Sequence, residues 1–155
     1  MNTKELTIRR AKTGDSASLS SLAGQLGYPT QNSEIEERLS ALNEYKGHVV
    51  FVAVLSVVGI VGWIHLMPRQ LLYMPRMAEI GGLVVNADHC RKGVGRALIN
   101  AAERWAKEQG YSSIVVRSNT ARNASHAFYR GIGYRDMKTQ NVYIKELNGQ
   151  QTLAR

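Results

Sequence analysis

Arg91, Lys92 and Arg96 stand within six residues around the pair Gly93 and Gly95, shortly after an apolar run and at the start of a long stretch of helical periodicity. The grouping is suited to holding an anion. Amides in the first turn of a helix lack intrahelical partners and lie at the positive end of the helix dipole, so a phosphate there gains hydrogen bonds and charge together. The glycines let the backbone approach such a ligand. A plainer reading is that they only allow the helix to pack close to a sheet, but three cations crowded round a helix start repel one another unless an anion joins them. Two familiar phosphate loops do not apply: no Gly-Lys-Ser/Thr follows as a Walker loop needs, and Leu98 stands where GxGxxG places its third glycine. His48, His65 and His89 have neither zinc-site nor triad spacing and read as ordinary strand or loop residues, so no metal is expected. Cys90 is the sole cysteine and has no assignable base, so it reads as an idle thiol.

The elements that must position this loop follow from periodicity. Leu6 and Ile8 alternate with polar neighbours as in a half-buried strand. Leu19, Leu22, Ala23 and Leu26 share one face of a first helix capped by Asp15 or Ser16 and closed by Gly27. Ser33 with Glu36 forms a capping-box pattern for a second helix carrying Ile35, Leu39 and Leu42. His48 to Leu66 reads as an antiparallel hairpin broken near Ser56 to Gly59, and Met67 to Arg76 as an apolar loop. Glu79 to Val85 is a fourth strand, Gly93 to Gln109 a long helix, and Ser113 to Arg117 a strand apolar enough to lie centrally and parallel to the fourth. A short helix over Asn123 to Arg130 follows, with final strands from Tyr134 onward and over Val142 to Leu147. The order describes an α/β (α+β) domain with a mixed sheet.

With 155 residues, 44% of them apolar, one domain over 1–147 is expected, followed by a flexible tail over 148–155. The N-terminus lacks an apolar signal core and the longest apolar run is interrupted, so neither export nor a membrane anchor is implied; with one cysteine, a cytoplasmic location fits. A net charge of +8 favours anionic partners, yet no long Lys/Arg block or nucleic-acid motif is present, which makes nucleic acid the weaker reading.

Cys90-Arg91-Lys92-Gly93-Val94-Gly95 between a strand and a long helix resembles the Arg/Gln-x-x-Gly-x-Gly/Ala signature of the GNAT superfamily of acetyl-coenzyme A-dependent N-acetyltransferases, departing from it at Cys90. The segment Ser118 to Tyr129, continuing to Gly133-Tyr134, is similar to the coenzyme-side helix of that family. The resemblance covers nearly the whole chain. It implies a mixed, mostly antiparallel central sheet of about six to seven strands flanked by four helices. It also implies acetyl-CoA as cosubstrate, held by Arg91, Lys92, Gly93, Val94, Gly95 and Arg96, by backbone near Val84 and Val85 at a splayed strand end, and by Asn119 and Asn123. Tyr129 matches a tyrosine that serves as general acid, and Glu79 a strand glutamate that serves as general base, although such a glutamate can instead pair with an arginine.

The implied reaction is direct attack of a primary amine on the acetyl thioester in a ternary complex, without an acetyl-enzyme. Tyr28, Tyr73, the 67–76 loop and the last two strands are expected to shape the acceptor site for a small-molecule or peptide amine, and a homodimer is compatible with this reading. The alternative is a non-catalytic acetyl-CoA-binding regulatory module on the same fold, because a fold does not fix a function.

Overall fold

A computed structural model describes residues 5–149, which divide into two compact units, one running to Arg117 and the other beginning at Ser118. Residues 150–155 of the expected tail lie outside the described residues.

The first unit holds one sheet in the spatial order β1-β2-β3-β4-β5. Its strands are β1 (Leu6–Arg10), β2 (Val49–Leu55), β3 (Gly59–Arg69), β4 (Met77–Val85) and β5 (Ile114–Val116). The helices are α1 (Ser16–Leu26), α2 (Asn32–Glu44) and α3 (Val94–Glu108). The first four strands run antiparallel to their neighbours, and β5 lies parallel to β4 because α3 carries the chain back across the sheet. The two faces are covered by different helices. Neighbours Gly62 and Trp63 on β3 point to opposite sides: a Cβ on Gly62 would lie 3.1 Å from Leu98 Cδ1 of α3, whereas Trp63 Nε1 donates to Leu19 O of α1 at 3.3 Å. Val94, Leu98, Ile99 and Ala102 bury the α3 face, and Leu19, Leu39 and Val52 centre the other core.

α1 ends as expected at Gly27, whose φ of 108° is left-handed, with Tyr28 N donating to Ala23 O at 3.0 Å. α2 begins earlier than expected. Its capping box is Gln31 with Glu34, Gln31 N donating to Glu34 Oε1 at 3.0 Å, rather than Ser33 with Glu36. Glu34 serves because the backbone is already helical at Asn32, which leaves Ser33 inside the first turn.

Asp15 ties β1 to the start of α1. Its carboxylate accepts from Arg9 Nη1 at 2.8 Å, Arg9 Nη2 at 3.0 Å and Lys12 N at 2.8 Å. The hydrogen-bonded Arg9 guanidinium holds the Asp15 carboxyl below its ordinary pKa. A folded-state pKa below the unfolded one stabilises the fold above the unfolded value and is lost as the pH falls through the folded value. Asp15→Asn should therefore lower unfolding free energy by about 1–2 kcal/mol at pH 7. In urea titrations at successively lower pH, the gap should close below the ordinary aspartate value of 3.8.

Three expectations are corrected. β3 extends to Arg69, so the apolar connection covers 70–76 only. The sheet has five strands among the described residues rather than six to seven, with no strand over 134–147. Alternation shows that a segment could be a strand, not that a partner supplies its ladder, and Val142, Tyr143 and Leu147 are more than 80% exposed. For the same reason β5 is an edge strand and not a central one.

The second unit contains α4 (Asn123–Gly131), which Gly133 follows at a left-handed φ of 98°. Arg130 Nε donates to Asp136 Oδ1 at 3.0 Å just beyond it. Among the described residues, no helix is long and apolar enough to cross a membrane.

Candidate acetyl-coenzyme A and acceptor site

The basic loop is shaped by two left-handed residues. Arg91 has φ 61°, the one positive value at a non-glycine position among the described residues, and Gly93 follows with φ 82° as the N-cap of α3. A non-glycine residue held there costs about 1 kcal/mol or more, and such strain collects where a loop must present its backbone. The first hydrogen bond of α3 runs from Ala97 N to Gly93 O at 3.0 Å, so the amides of Val94, Gly95 and Arg96 precede it and face the helix start. Val94 turns its side chain into the core, while Arg91, Lys92 and Arg96 are exposed. A cavity of about 260 Å³ opens alongside, lined by Leu6 and Ile8 of β1 and by Lys92, Arg96 and Asn100. This donor set fits a pyrophosphate: unpaired amides at a helix start, three cations around them, and open space above Gly93.

Upstream, Asn86 Oδ1 accepts from Asp88 N at 2.9 Å and Gln25 Oε1 from Ala87 N at 2.9 Å, fixing the loop to α1. Cys90 Sγ points back, 3.5 Å from Asn86 O and 3.8 Å from Val85 O. The thiol thus closes the turn after β4.

β4 is irregular beside this loop. Its ladder to β5 covers Ala78 to Ile80 only, and Gly81 is an extra residue opposite β3, between Ile80 paired with Leu66 and Gly82 paired with His65. Asn86 N donates to Val61 O at 2.7 Å, so alternation turns the Val84 amide towards β3 and those of Leu83 and Val85 to the side where β5 has ended. Of the expected pair, Val85 therefore faces the open side and Val84 does not; Leu83 joins it.

Glu79, buried on β4, has its Oε1 2.9 Å from Arg69 Nη1 and 3.4 Å from Arg117 Nε. It is the centre of an ion-pair cluster. Sequence reasoning missed a neighbouring pair: His48 Nδ1 lies 3.1 Å from His65 Nε2, the rings stacked at 5.3 Å between centroids, with Tyr45 packed on His48 at 5.8 Å. Burial lowers the His48 pKa and brings that of His65 down to about 4. Tyr28 and Tyr73 are exposed, on the α1–α2 and β3–β4 connections respectively.

In the second unit, the Tyr129 ring packs 5.3 Å from that of Phe128 and 5.7 Å from that of Tyr134, and burial pushes its phenol pKa up, opposed by the charge of Arg122. Asn119 is occupied locally, its Oδ1 accepting from Ala121 N at 2.9 Å and its backbone oxygen from Arg122 N at 2.9 Å. Asn123 is exposed in the first turn of α4.

A mixed sheet whose parallel crossover enters its helix through a basic, left-handed loop defines an α/β protein. The chain belongs to the acetyltransferase (GNAT) family, whose model matches residues 20–134. It is 28% identical over 148 residues to aminoglycoside N(6')-acetyltransferase type 1 of Klebsiella aerogenes, covering 90% of this chain and 96% of that one. It is also 31% identical over 75 residues to N-acetyltransferase family 8 member 3 of Rattus norvegicus. That alignment takes in 48% of this chain and only 33% of the rat protein, so the chain spans about a third of that relative's length. A solved aminoglycoside N-acetyltransferase in complex with CoA shares the fold with a TM-score of 0.81 at 16% identity, over 90% of this chain and 94% of that one.

Proposed function

We propose that the chain is an N-acetyltransferase that moves an acetyl group from acetyl-CoA to a primary amine by direct attack in a ternary complex. The observation that carries this reading is the loop itself: left-handed Arg91 and Gly93 present the first amides of α3 next to a β4 end that β5 has left open. Arg91, Lys92 and Arg96 with the amides of Val94 to Arg96 would hold the pyrophosphate. The outward amides of Leu83 and Val85 would receive the pantetheine and the oxyanion, a contribution of roughly 3 kcal/mol for a preorganised donor. Asn119 and Asn123 enter as flanking coenzyme contacts. The family match spans both units, which supports one acetyltransferase domain over 1–147.

In the reaction the amine nitrogen bonds to the thioester carbonyl carbon and gives up one proton to a base beside it, the C–S bond breaks, and the sulfur takes a proton from Tyr129, which regains one from water. Glu79 enters as the carboxylate that holds Arg69 and Arg117 on the α1 side of the sheet. The acceptor is a small-molecule or peptide amine reaching that side near Tyr28 and Tyr73, and an aminoglycoside belongs among the amines to try because of the Klebsiella relative.

The test is thiol release from acetyl-CoA with a panel containing an aminoglycoside, amino acids, a simple alkylamine and a peptide with a free N-terminus. Acceptor-dependent release is expected with at least one of them. Tight acetyl-CoA binding without release for any amine would instead mark a regulatory coenzyme-binding module.

A further inference from the structure

On the assumption that the chain transfers acetyl to an amine, we propose that His65 and His48 form a proton relay in which His65 is the catalytic base for the attacking amine and His48 is its outlet to solvent.

The first support is the line between the rings. At 3.1 Å, His48 Nδ1 and His65 Nε2 make one hydrogen bond, with one nitrogen donating and the other accepting. The pair therefore has a polarity that a proton transfer reverses. The second support is what faces the other nitrogen of His65. A Cβ on Gly81 would lie 3.1 Å from His65 Nδ1, so the ring rests closely against the β4 bulge, and Gly81 itself is exposed. That bulge starts the stretch of β4 from which β5 has parted. The relay therefore ends at the start of that open stretch, two residues before the outward Leu83 amide. Bulges beside active sites commonly re-aim a strand in this way.

The third support is the company on this face. His65 lies two residues beyond Trp63 on β3 and so shares the α1 side, and Met67 and Arg69 continue that side. His48 from the α2–β2 connection stacks on His65 and carries Tyr45 on its other contact, while farther along the same face Glu79 of β4 lies across from Met67 and pairs with Arg69 of β3. Arg10 lines a small cavity of about 50 Å³ beside His48, together with Asn43 and Leu39. Glu79 is the carboxylate among these groups, and its Oε1 is shared by two guanidiniums, so taking a proton there would weaken two ion pairs. His65 has no such competitor. Burial keeps both imidazoles neutral at pH 7, with lone pairs able to accept.

The balance is simple. As the amine nitrogen bonds to the carbonyl carbon, its N–H proton goes to His65 Nδ1. The proton on His65 Nε2 moves to His48 Nδ1, and the proton on His48 Nε2 leaves to water. Both rings end neutral in the opposite tautomer, the hydrogen bond between them is kept with its direction reversed, and exchange with water resets the pair.

The test compares pH–rate profiles for the full chain, using acetyl-CoA and whichever amine gives release, with those of His65→Gln, His48→Gln and Glu79→Gln. His65→Gln should lower kcat/KM by about 10²- to 10³-fold at pH 7.5 and flatten the acid limb, with acetyl-CoA affinity by calorimetry changed less than about twofold. His48→Gln should lower it about tenfold and shift that limb, since Gln accepts a hydrogen bond but cannot pass a proton on. A His65→Gln profile parallel to the wild type, or Glu79→Gln alone removing the limb, overturns the relay. Should His65→Gln fail to fold, 15N spectra of the wild-type imidazoles decide. A neutral His65 protonated on Nε2, titrating together with His48, supports the relay, and independent titration overturns it. If no amine in the panel gives thiol release with the wild type, acetyl transfer falls and the relay with it. If one of them does and the His65→Gln profile is unchanged, only the relay falls.

Discussion

Tyr129→Phe is expected to lower turnover by about 10²- to 10⁴-fold, the range for losing a positioned general acid, while acetyl-CoA affinity stays within about twofold. Phenylalanine keeps the ring that packs on Phe128 and Tyr134, so α4 should fold as before and only the hydroxyl is lost. The leaving thiol has a reference pKa of ~8.5 and the phenol ~10, so donation is uphill in water. Burial pushes the Tyr129 phenol higher still. Such a group stays protonated throughout the neutral range, and it can give up its proton only as charge develops on sulfur during C–S cleavage. The effect should therefore fall on kcat, with the basic limb of the wild-type profile displaced above the ordinary tyrosine range. Single-turnover rates with the Phe variant check this. An unchanged kcat removes Tyr129 from the reaction.

The loop around Gly93 was readable because its signal is local: three cations and two glycines fall within six residues, separated by five residues from the strand before them and lying at the start of a helical stripe. The parallel placement of β5 was readable too, since a strand, a long helix and a strand can be joined only through a crossover. What periodicity could not supply was partnership. Val142 to Leu147 carries strand-like residues, yet no strand forms there, and β5 is left at the edge despite its apolar side chains. The capping box slipped by two residues because Gln31/Glu34 and Ser33/Glu36 both present the required spacing, and only the backbone conformation at Asn32 chooses between them.

The site divides along the same line. Arg91 at positive φ leaves no trace in composition, and the glycine at 93 reads as room for a close backbone without disclosing its left-handed conformation. Glu79 was legible as a strand glutamate, but its partners Arg69 and Arg117 come from β3 and the end of β5, and strand register alone brings them to one carboxylate. His48 and His65, seventeen residues apart, carry no spacing motif; they meet because His65 pairs with Val50 in the β2–β3 register, two residues from His48. A search for histidines flanking paired strand positions would have found them.

That pair should also make the fold acid-sensitive well above the carboxylate range. His65 titrates near 6.5 when unfolded and at about 4 when folded, because burial disfavours the imidazolium and His48 adds repulsion. The folded value is the lower one, so the unfolded chain binds the extra proton first. The contribution is complete above about pH 6.5 and is lost as the pH falls through about 4. By linkage the loss between pH 7.5 and pH 4.5 should reach roughly 2–3 kcal/mol, a sizeable share of the stability of a domain this long. His48 is held below its ordinary value by burial as well and should act in the same direction. Urea unfolding at half-unit pH steps checks the sum. The curve should steepen between these two pH values in the wild type and flatten in His65→Gln, whose amide does not titrate. Asp15→Asn should leave that window untouched and change only the slope below the ordinary aspartate value of 3.8. Equal slopes for the wild type and His65→Gln from pH 6.5 to pH 4 would show that folding leaves the His65 pKa at its ordinary value, and burial would then not be what keeps that imidazole neutral.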